Sequence, residues 1–156
     1  MQRYFSSQVS NALPLIKSRE GLVLKVYKDS LGKLTAGYGH LIKPGEEAQV
    51  VDLALSDKWL KEDYQGALSA AQNQAAQLPL WTPELEAVLV SVNYQLGVKW
   101  FTKFPKTWKL MLDGNYEAAA SEVENSLWHK QTPVRVRDLQ RVLWRASLLS
   151  ELLALE

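Results

Sequence analysis

A helical pattern over residues 10–20 changes at Gly21 to a strand-like alternation over residues 22–43. Pro14 suits the first turn of the predicted helix, and Gly21 follows it where a left-handed cap is favoured. The second segment contains a turn signal that starts at Asp29, so it predicts a small antiparallel sheet of two or three strands. A helix that leads into a small sheet, followed by more helices, indicates the α+β class. The predicted alternation places Leu22, Leu24 and Val26 on one side of the sheet and Val23, Lys25 and Tyr27 on the other.

The remainder of the chain shows helical periodicity. Ser56 is a suitable N-cap for a helix over residues 56–78, which would span roughly 30 Å. Thr82 and Pro83 open the next helix, and shorter helices are predicted near residues 105–113, 116–125 and 133–154. We expect one domain over residues 1–156, made of a small β-containing lobe (12–58), a connector helix (56–78) and a helical lobe (79–156 together with 1–11).

Composition narrows the class of protein. Hydrophobic residues make up 47% of the chain and charged residues 22%, which is typical of a folded domain rather than a disordered chain. A net charge of +1 does not indicate a nucleic-acid partner or stable membrane association. The absence of cysteine excludes disulfides and thiolate metal sites, and with two histidines we expect no metal centre.

The N-terminus has no apolar segment typical of a secretory signal, and no stretch approaches the ~20 apolar residues of a membrane span. We therefore expect the protein to accumulate in the cytoplasm of the cell that makes it.

Glu20, Asp29 and Thr35 form the most specific pattern in the chain. A Glu at the C-terminal end of a helix is electrostatically unfavourable and calls for a reason, although pairing with an arginine would also explain it. Asp in a turn commonly bonds its own backbone, and Thr favours strands. Two carboxylates across a cleft are, however, what cleavage of a glycosidic bond needs: one to donate a proton to the leaving oxygen, one to activate water or stabilise positive charge.

These residues lie in a first block, residues 19–41, which ends in Gly37-Tyr-Gly-His40-Leu41. A second block reads Ser126-Leu-Trp-His-Lys-Gln-Thr-Pro-Val-Arg135. In both blocks the chain resembles the phage-type lysozymes (endolysins) of glycoside hydrolase family 24, and its organisation is similar to that of the T-even phage lysozymes. The resemblance implies a mostly helical lysozyme-like fold. It also implies a monomeric muramidase that needs no cofactor and hydrolyses the β-1,4 bond between N-acetylmuramic acid and N-acetylglucosamine in the glycan strand of bacterial peptidoglycan.

The resemblance further implies site roles. Glu20 is the general acid, while Asp29 and Thr35 hold the attacking water on the opposite face of the sugar, which implies inversion. Sequence alone leaves retention open, because the outcome depends on the distance between the two carboxylates. We also expect a cleft lined by Leu41, by Tyr94 or Gln95, and by Thr107. His40 should form an ion pair with Asp63, and Arg135, with Arg137 as its rival, should approach Glu20. Trp128 should lie in the core, and Glu122 stands where relatives carry Asn.

Two other functions remain in view. A lytic transglycosylase would use one acid and no water, and a silent wall-binding domain would use neither carboxylate; the intact set of Glu20, Asp29 and Thr35 favours hydrolysis. A helical nucleic-acid module is weaker, since the chain has no basic stripe. Because peptidoglycan lies outside the membrane, an endolysin of this kind would need a holin to leave the host cytoplasm and reach the wall at lysis.

Overall fold

The structure is a computed structural model that describes residues 2–3 and 12–155. The predicted start of the first helix, at residues 10–11, lies outside the described residues. The strands are β1 (Gln2–Arg3), β2 (Val23–Lys28), β3 (Leu34–Gly37), β4 (His40–Leu41) and β5 (Leu80–Trp81). The helices are α1 (Leu13–Glu20), α2 (Leu53–Ala75), α3 (Pro83–Leu96), α4 (Pro105–Leu112), α5 (Tyr116–Glu122), α6 (Leu127–Gln131) and α7 (Pro133–Ala154), with a 3₁₀ turn at Trp100–Thr102. The predicted α+β, mostly helical fold is confirmed.

Helix α1 delivers the chain directly into the sheet. Pro14 lies in its first turn, as predicted, and the Gly21 amide closes its last turn on the Lys17 carbonyl at 2.9 Å. Gly21 has φ 68° and ψ 174°, so the predicted left-handed cap is wrong. This extended conformation at positive φ is open essentially to glycine alone, and it lets β2 begin two residues after the helix ends.

The three-stranded antiparallel sheet has the order β2-β3-β4, with Tyr27 opposite Thr35 and Thr35 opposite Leu41. The register is irregular between Val23 and Tyr27, and this irregularity makes the predicted strict alternation wrong. Leu24 is 51% exposed although it was placed with Val26, which is half-buried.

Helix α2 begins and ends three residues earlier than the predicted connector helix 56–78. Its N-cap is Asp52, whose carboxylate accepts from the Leu55 amide at 2.8 Å, so the predicted N-cap at Ser56 is wrong. Ser56 instead lies buried in the first turn, where its hydroxyl donates to the Asp52 carbonyl. After Ala75 the chain continues in tight turns that bury Leu78 before β5 starts.

Helix α3 forms the centre of the core. It packs against α2 and α7, and the predicted signals at its ends, Thr82 and Gly97, are confirmed. The side-chain amides of Gln74 on α2 and Asn93 on α3 donate to each other at 2.9 and 2.8 Å. The Trp100 indole also donates to Gln74 at 3.0 Å. Because these polar groups are buried, their mutual bonds fix the C-terminal end of α2 on α3.

The C-terminal helices follow the predicted positions, except that α6 was not predicted. Ser126 caps α6 by accepting from the His129 amide, and Trp128 is buried, as expected for a core residue. Helix α7 buries Leu143 but exposes Leu148 on its opposite side, so only one face of this amphipathic run serves core packing. Within the described part of the chain, no helix is long and apolar enough to cross a bilayer.

His40 connects the sheet to α2. Its buried ring stacks on the indole of Trp59, with ring centroids 4.2 Å apart. Its Nδ1 lies 2.6 Å from Oδ2 of Asp63, which confirms the predicted pair. Its Nε2 lies 2.9 Å from Oε1 of Glu46, a partner that sequence reasoning missed. Since both ring nitrogens face carboxylates, the doubly protonated imidazolium satisfies both contacts.

These contacts shift the ionisation of His40 and Glu46. Burial alone lowers the His40 pKa, but the hydrogen bonds to Asp63 and Glu46, with their charges, outweigh burial and raise the pKa above 6.5. Burial raises the Glu46 pKa, but the bonds to His40 and the Lys43 amide outweigh it and lower the pKa below 4.5. The His40 contribution to stability is lost as pH rises through its folded pKa, and the Glu46 contribution is lost as pH falls through its folded pKa. Both operate together at mildly acidic pH.

We predict that Asp63→Asn and Glu46→Gln each lower the free energy of unfolding by roughly 1–2 kcal/mol at mildly acidic pH, because each turns a charge-assisted hydrogen bond into a neutral one. The loss should shrink once pH exceeds the folded pKa of His40. Urea unfolding as a function of pH measures this, with Glu47→Gln, an exposed neighbour, as the control. A loss of equal size at every pH would contradict the ion pairs.

Candidate active site

Glu20 and Asp29 line the same cavity, of about 160 Å³, between the sheet and the helices. Glu20 is the last residue of α1, and Asp29 follows β2. The helical side of the cavity is formed by Gln95 and Arg135. The structure therefore brings together two of the three residues predicted to be catalytic, together with the arginine predicted to approach them.

Arg135 bridges Glu20 to the helical core. One guanidinium nitrogen, Nη1, donates to Oε2 of Glu20. The other, Nη2, donates to the carbonyl and the hydroxyl of Ser91 on α3 at 3.0 and 2.9 Å. The predicted approach of Arg135 is confirmed, whereas its rival Arg137 is exposed on the other side of α7. Ser91 was not predicted, because a serine inside a helix carries no sequence signal of its partner.

A second ion pair lies beside the first. Arg19 donates through Nε and Nη2 to the two carboxylate oxygens of Asp138, at 2.7 and 2.8 Å. Asp138 lies one helical turn after Arg135 on α7. The consecutive residues Arg19 and Glu20 of α1 therefore form two ion pairs with α7, in which the positive charge is on α1 in the first and on α7 in the second. The only sequence signal was the spacing Arg135-x-x-Asp138 of opposite charges on a predicted helix.

The turn between β3 and β4 closes over Glu20. A Cβ atom on Gly39 would lie 2.6 Å from Cδ of Glu20, and Gly39 has φ 70°. The hydroxyl of Tyr94 donates to the carbonyl of Tyr38, the preceding residue of the same turn. Gly39 therefore allows the backbone to approach the carboxylate, and Tyr94 holds the turn in place.

Asp29 is both a turn residue and a cavity residue. Its Oδ1 accepts from the amides of Leu31 and Lys33 at 2.9 and 2.8 Å, which is the self-capping arrangement typical of a turn Asp. Among the described residues, Oδ2 accepts no hydrogen bond. One oxygen thus fixes the side chain while the other is available to a ligand in the cavity.

Thr35 lies beneath the cavity rather than in its lining. It is 2% exposed, and its hydroxyl donates to the Lys33 carbonyl at 2.8 Å. The Asp29 amide donates to the same carbonyl at 2.9 Å. Thr35 therefore braces the turn that carries Asp29, and its predicted contact with the attacking water stays a prediction.

The predicted cleft residues separate into three places. Leu41, 45% exposed, and Gln95 line the Glu20 cavity. Gln95 accepts from the Trp128 indole at 2.9 Å and donates to the hydroxyl of Thr132, a cavity residue not predicted from the sequence. Tyr94 lines the neighbouring cavity, and burial raises the pKa of its hydroxyl.

Thr107 lies apart from the Glu20 cavity. It is buried and lines a third cavity together with Glu122, the residue that departs from the expected Asn. Thr107 is not among the residues that line the Glu20 cavity, and Phe104 and Ser126 line both its own cavity and the one next to it.

Four cavities adjoin one another in a row, each sharing lining residues with the next, and this row is called the trough below. The Glu20 cavity shares Gly39 and Leu41 with the Tyr94 cavity, of about 300 Å³, on one side. On the other side it shares Leu31 with a cavity of about 570 Å³, which in turn shares Phe104 and Ser126 with the Thr107 cavity. A trough that continues on both sides of two carboxylates suits an extended polymer better than a small molecule.

We predict that Gly39→Ala lowers activity by at least about tenfold, because the new methyl group would displace the Glu20 carboxylate and alanine is strained at positive φ. Turnover of cell-wall substrate measures the effect. Gly45→Ala is the matched control, since Gly45 also has positive φ but has open space around it and lies away from both carboxylates. Equal activity losses in both variants would show that backbone strain, not contact with Glu20, causes the effect.

Comparison with known proteins places the chain in a family. The sequence model of the phage lysozyme family matches residues 17–142. A probable T4-type lysozyme of Dictyostelium discoideum is 28% identical over 152 residues, which cover 81% of this chain and 89% of that protein. An endolysin of Acyrthosiphon pisum secondary endosymbiont phage 1 is 32% identical over 112 residues, covering 70% of this chain and 73% of that protein.

The relatives include a domain within a larger protein. The pre-baseplate central spike protein Gp5 of Enterobacteria phage T4 is 27% identical over 158 residues, covering 86% of this chain but 28% of Gp5. The family match extends from α1 to α7 and includes both predicted carboxylates. The chain belongs to the phage lysozyme family, and it is a glycoside hydrolase of the lysozyme type.

Proposed function

We propose that the chain is an endolysin muramidase, which hydrolyses the β-1,4 bond between N-acetylmuramic acid and N-acetylglucosamine in peptidoglycan and thereby lyses the host cell. The observation that carries this proposal is the pair of carboxylates, Glu20 and Asp29, in one cavity of a continuous trough. Family membership supports the same chemistry. The enzyme acts as a monomer on the glycan strand and leaves the host cytoplasm through a holin.

Glu20 is the general acid in this mechanism. Its proton passes to the glycosidic oxygen as the bond to the anomeric carbon breaks, leaving a carboxylate that Arg135 stabilises.

Asp29 is the general base. Its free Oδ2 accepts a proton from the attacking water, while two backbone amides hold Oδ1 and stabilise the negative charge. Thr35 positions the water indirectly. Its hydroxyl and the Asp29 amide both donate to the Lys33 carbonyl, so Thr35 fixes the turn from which Asp29 holds the water.

Substrate entry requires the trough to open. In our proposal, the β-containing lobe, residues 12–58, moves against the helical lobe about the ends of α2. The pairs Arg135–Glu20 and Arg19–Asp138 join α1 to α7, and they close the trough when formed. A long polymer can then enter laterally, and closure excludes water around the bond to be cut.

We predict that Glu20→Gln abolishes turnover and leaves the fold intact, because the amide is nearly isosteric but cannot supply the proton. General acid catalysis is typically worth ~10²–10⁴ in rate. Digestion of purified peptidoglycan followed by mass spectrometry of the fragments tests both rate and reaction. The parent enzyme should leave reducing N-acetylmuramic acid ends. Activity of the variant within about tenfold of the parent would remove Glu20 from the mechanism, and 1,6-anhydro ends from the parent would identify a transglycosylase instead.

We predict that Arg135→Ala lowers turnover about tenfold, by far less than Glu20→Gln, because the arginine orients the acid without supplying a proton. Arg137→Ala, on the exposed side of the same helix, is the control and should leave turnover unchanged. Turnover should be normalised to the folded fraction, since Arg135 is buried and its loss leaves Ser91 without a partner. Wild-type turnover of Arg135→Ala would eliminate the orienting role.

A further inference from the structure

We infer that the hydroxyl of Tyr27 contacts the attacking water and, together with Asp29, holds it against the anomeric carbon. The inference rests on the proposed hydrolytic function, and it adds a residue that the sequence pattern did not single out for chemistry. Tyr27 lies on β2, two residues before Asp29, and it lines the same cavity as Glu20 and Asp29.

The register of the sheet places Tyr27 where such a contact is needed. Tyr27 is opposite Thr35 on β3, and Thr35 is opposite Leu41 on β4, so the three side chains form a row across one face. Tyr27 and Leu41 line the cavity, whereas Thr35 between them is buried and donates its proton to the Lys33 carbonyl. Tyr27 is therefore the residue of this row that lines the cavity and carries a hydroxyl group.

The hydroxyl of Tyr27 is also uncommitted. Buried tyrosine hydroxyls normally find a protein partner, and this chain follows the rule at Tyr94, which donates to Tyr38, and at Tyr116, which donates to Leu80. Within residues 2–3 and 12–155, the half-buried Tyr27 hydroxyl has no hydrogen-bond partner. A polar group with this environment is available to a ligand or a water in the cavity.

The local electrostatics keep this group neutral. Burial raises the pKa of Tyr27, and the negative charges of Glu20 and Asp29 raise it further. The hydroxyl therefore stays protonated in the working range of the enzyme. It cannot compete with Asp29 as a base, but its oxygen can accept a hydrogen bond from water.

The step balances without further reactants. The water oxygen forms the new bond to the anomeric carbon, and one of its protons passes to Oδ2 of Asp29. The glycosidic bond breaks with its electron pair on the leaving oxygen, which takes the proton of Glu20. The second hydrogen of the water stays on the product and is held by the Tyr27 oxygen until release. Two acceptors thus fix the orientation of the water before it attacks.

Loss of this contact has a recognisable chemical signature. Once the leaving group has departed, a poorly held water competes less well with the sugar's own C6 hydroxyl. That hydroxyl reaches the same carbon from the face that the leaving group vacated, gives its proton to the Glu20 carboxylate and forms a 1,6-anhydro end. The two products differ in mass by one water. Their ratio reports how the water is held, and it does not depend on how much of the enzyme is folded, because only folded molecules cleave.

Tyr27→Phe tests the inference by removing one oxygen atom. Purified peptidoglycan is digested, and anhydro and reducing ends are quantified by mass spectrometry. We expect turnover to fall about tenfold, as for the loss of one neutral hydrogen bond, with KM unchanged. Anhydro ends, absent from the products of the parent, should appear beside the reducing ends, so that the product ratio rises. Tyr64→Phe is the matched control, since Tyr64 is also half-buried but lies on α2 and lines none of the cavities of the trough. It should change neither quantity.

An unchanged product ratio in Tyr27→Phe overturns the inference, whatever happens to the rate. A folded variant without any cleavage also overturns it, because the loss of one neutral hydrogen bond cannot remove all turnover. Failure of the proposed function has a different result: the parent enzyme itself would then leave anhydro ends, or none.

Discussion

The contact between Arg135 and Glu20 is the constraint on which the site depends. It is supported from both sides: Ser91 holds the guanidinium within the helical core, and the neighbouring pair of Arg19 and Asp138 fixes the end of α1 on α7. A charged pair with little exposure stabilises a fold only when its remaining hydrogen-bonding groups are satisfied. Here the second nitrogen of Arg135 is satisfied by Ser91, so the carboxylate is held in one orientation.

The sheet supplies the complementary constraint through its backbone. At one end of the sheet, Gly39 lets the β3–β4 turn lie against Glu20. At the other end, the Lys33 carbonyl accepts hydrogen bonds from both the Asp29 amide and the Thr35 hydroxyl. Neither arrangement depends on apolar burial of the residues concerned. The small sheet therefore acts as a scaffold for two turns, while His40 fastens it to α2 through contacts to both of its ring nitrogens.

The sequence predicted most helices, because periodicity and capping residues are local signals. Its motif also singled out Glu20 and Asp29, which line one cavity in the structure. The predictions from sequence were wrong where two nearby residues offered equally good local signals for the same structural role. Asp52 and Ser56 are both good caps, and tertiary packing that buries Ser56 decided between them. The irregular register of β2 and the support from Ser91 depend on contacts with other segments of the chain, for which a single sequence carries no pattern.

The parallel pair of β1 and β5 has a consequence for the order of folding. Gln2 pairs with Leu80 and Arg3 with Trp81, so the first strand of the chain is completed by residues that come after the whole of α2. During synthesis, β1 cannot pair until β5 has left the ribosome, which happens only after the three-stranded sheet and α2 have been made. Such long-range closure slows folding relative to the local contacts within the helices. The segment that carries both carboxylates, residues 20–29, therefore lies in the sequence between the two strands of this pair, and the pairing closes the chain around it.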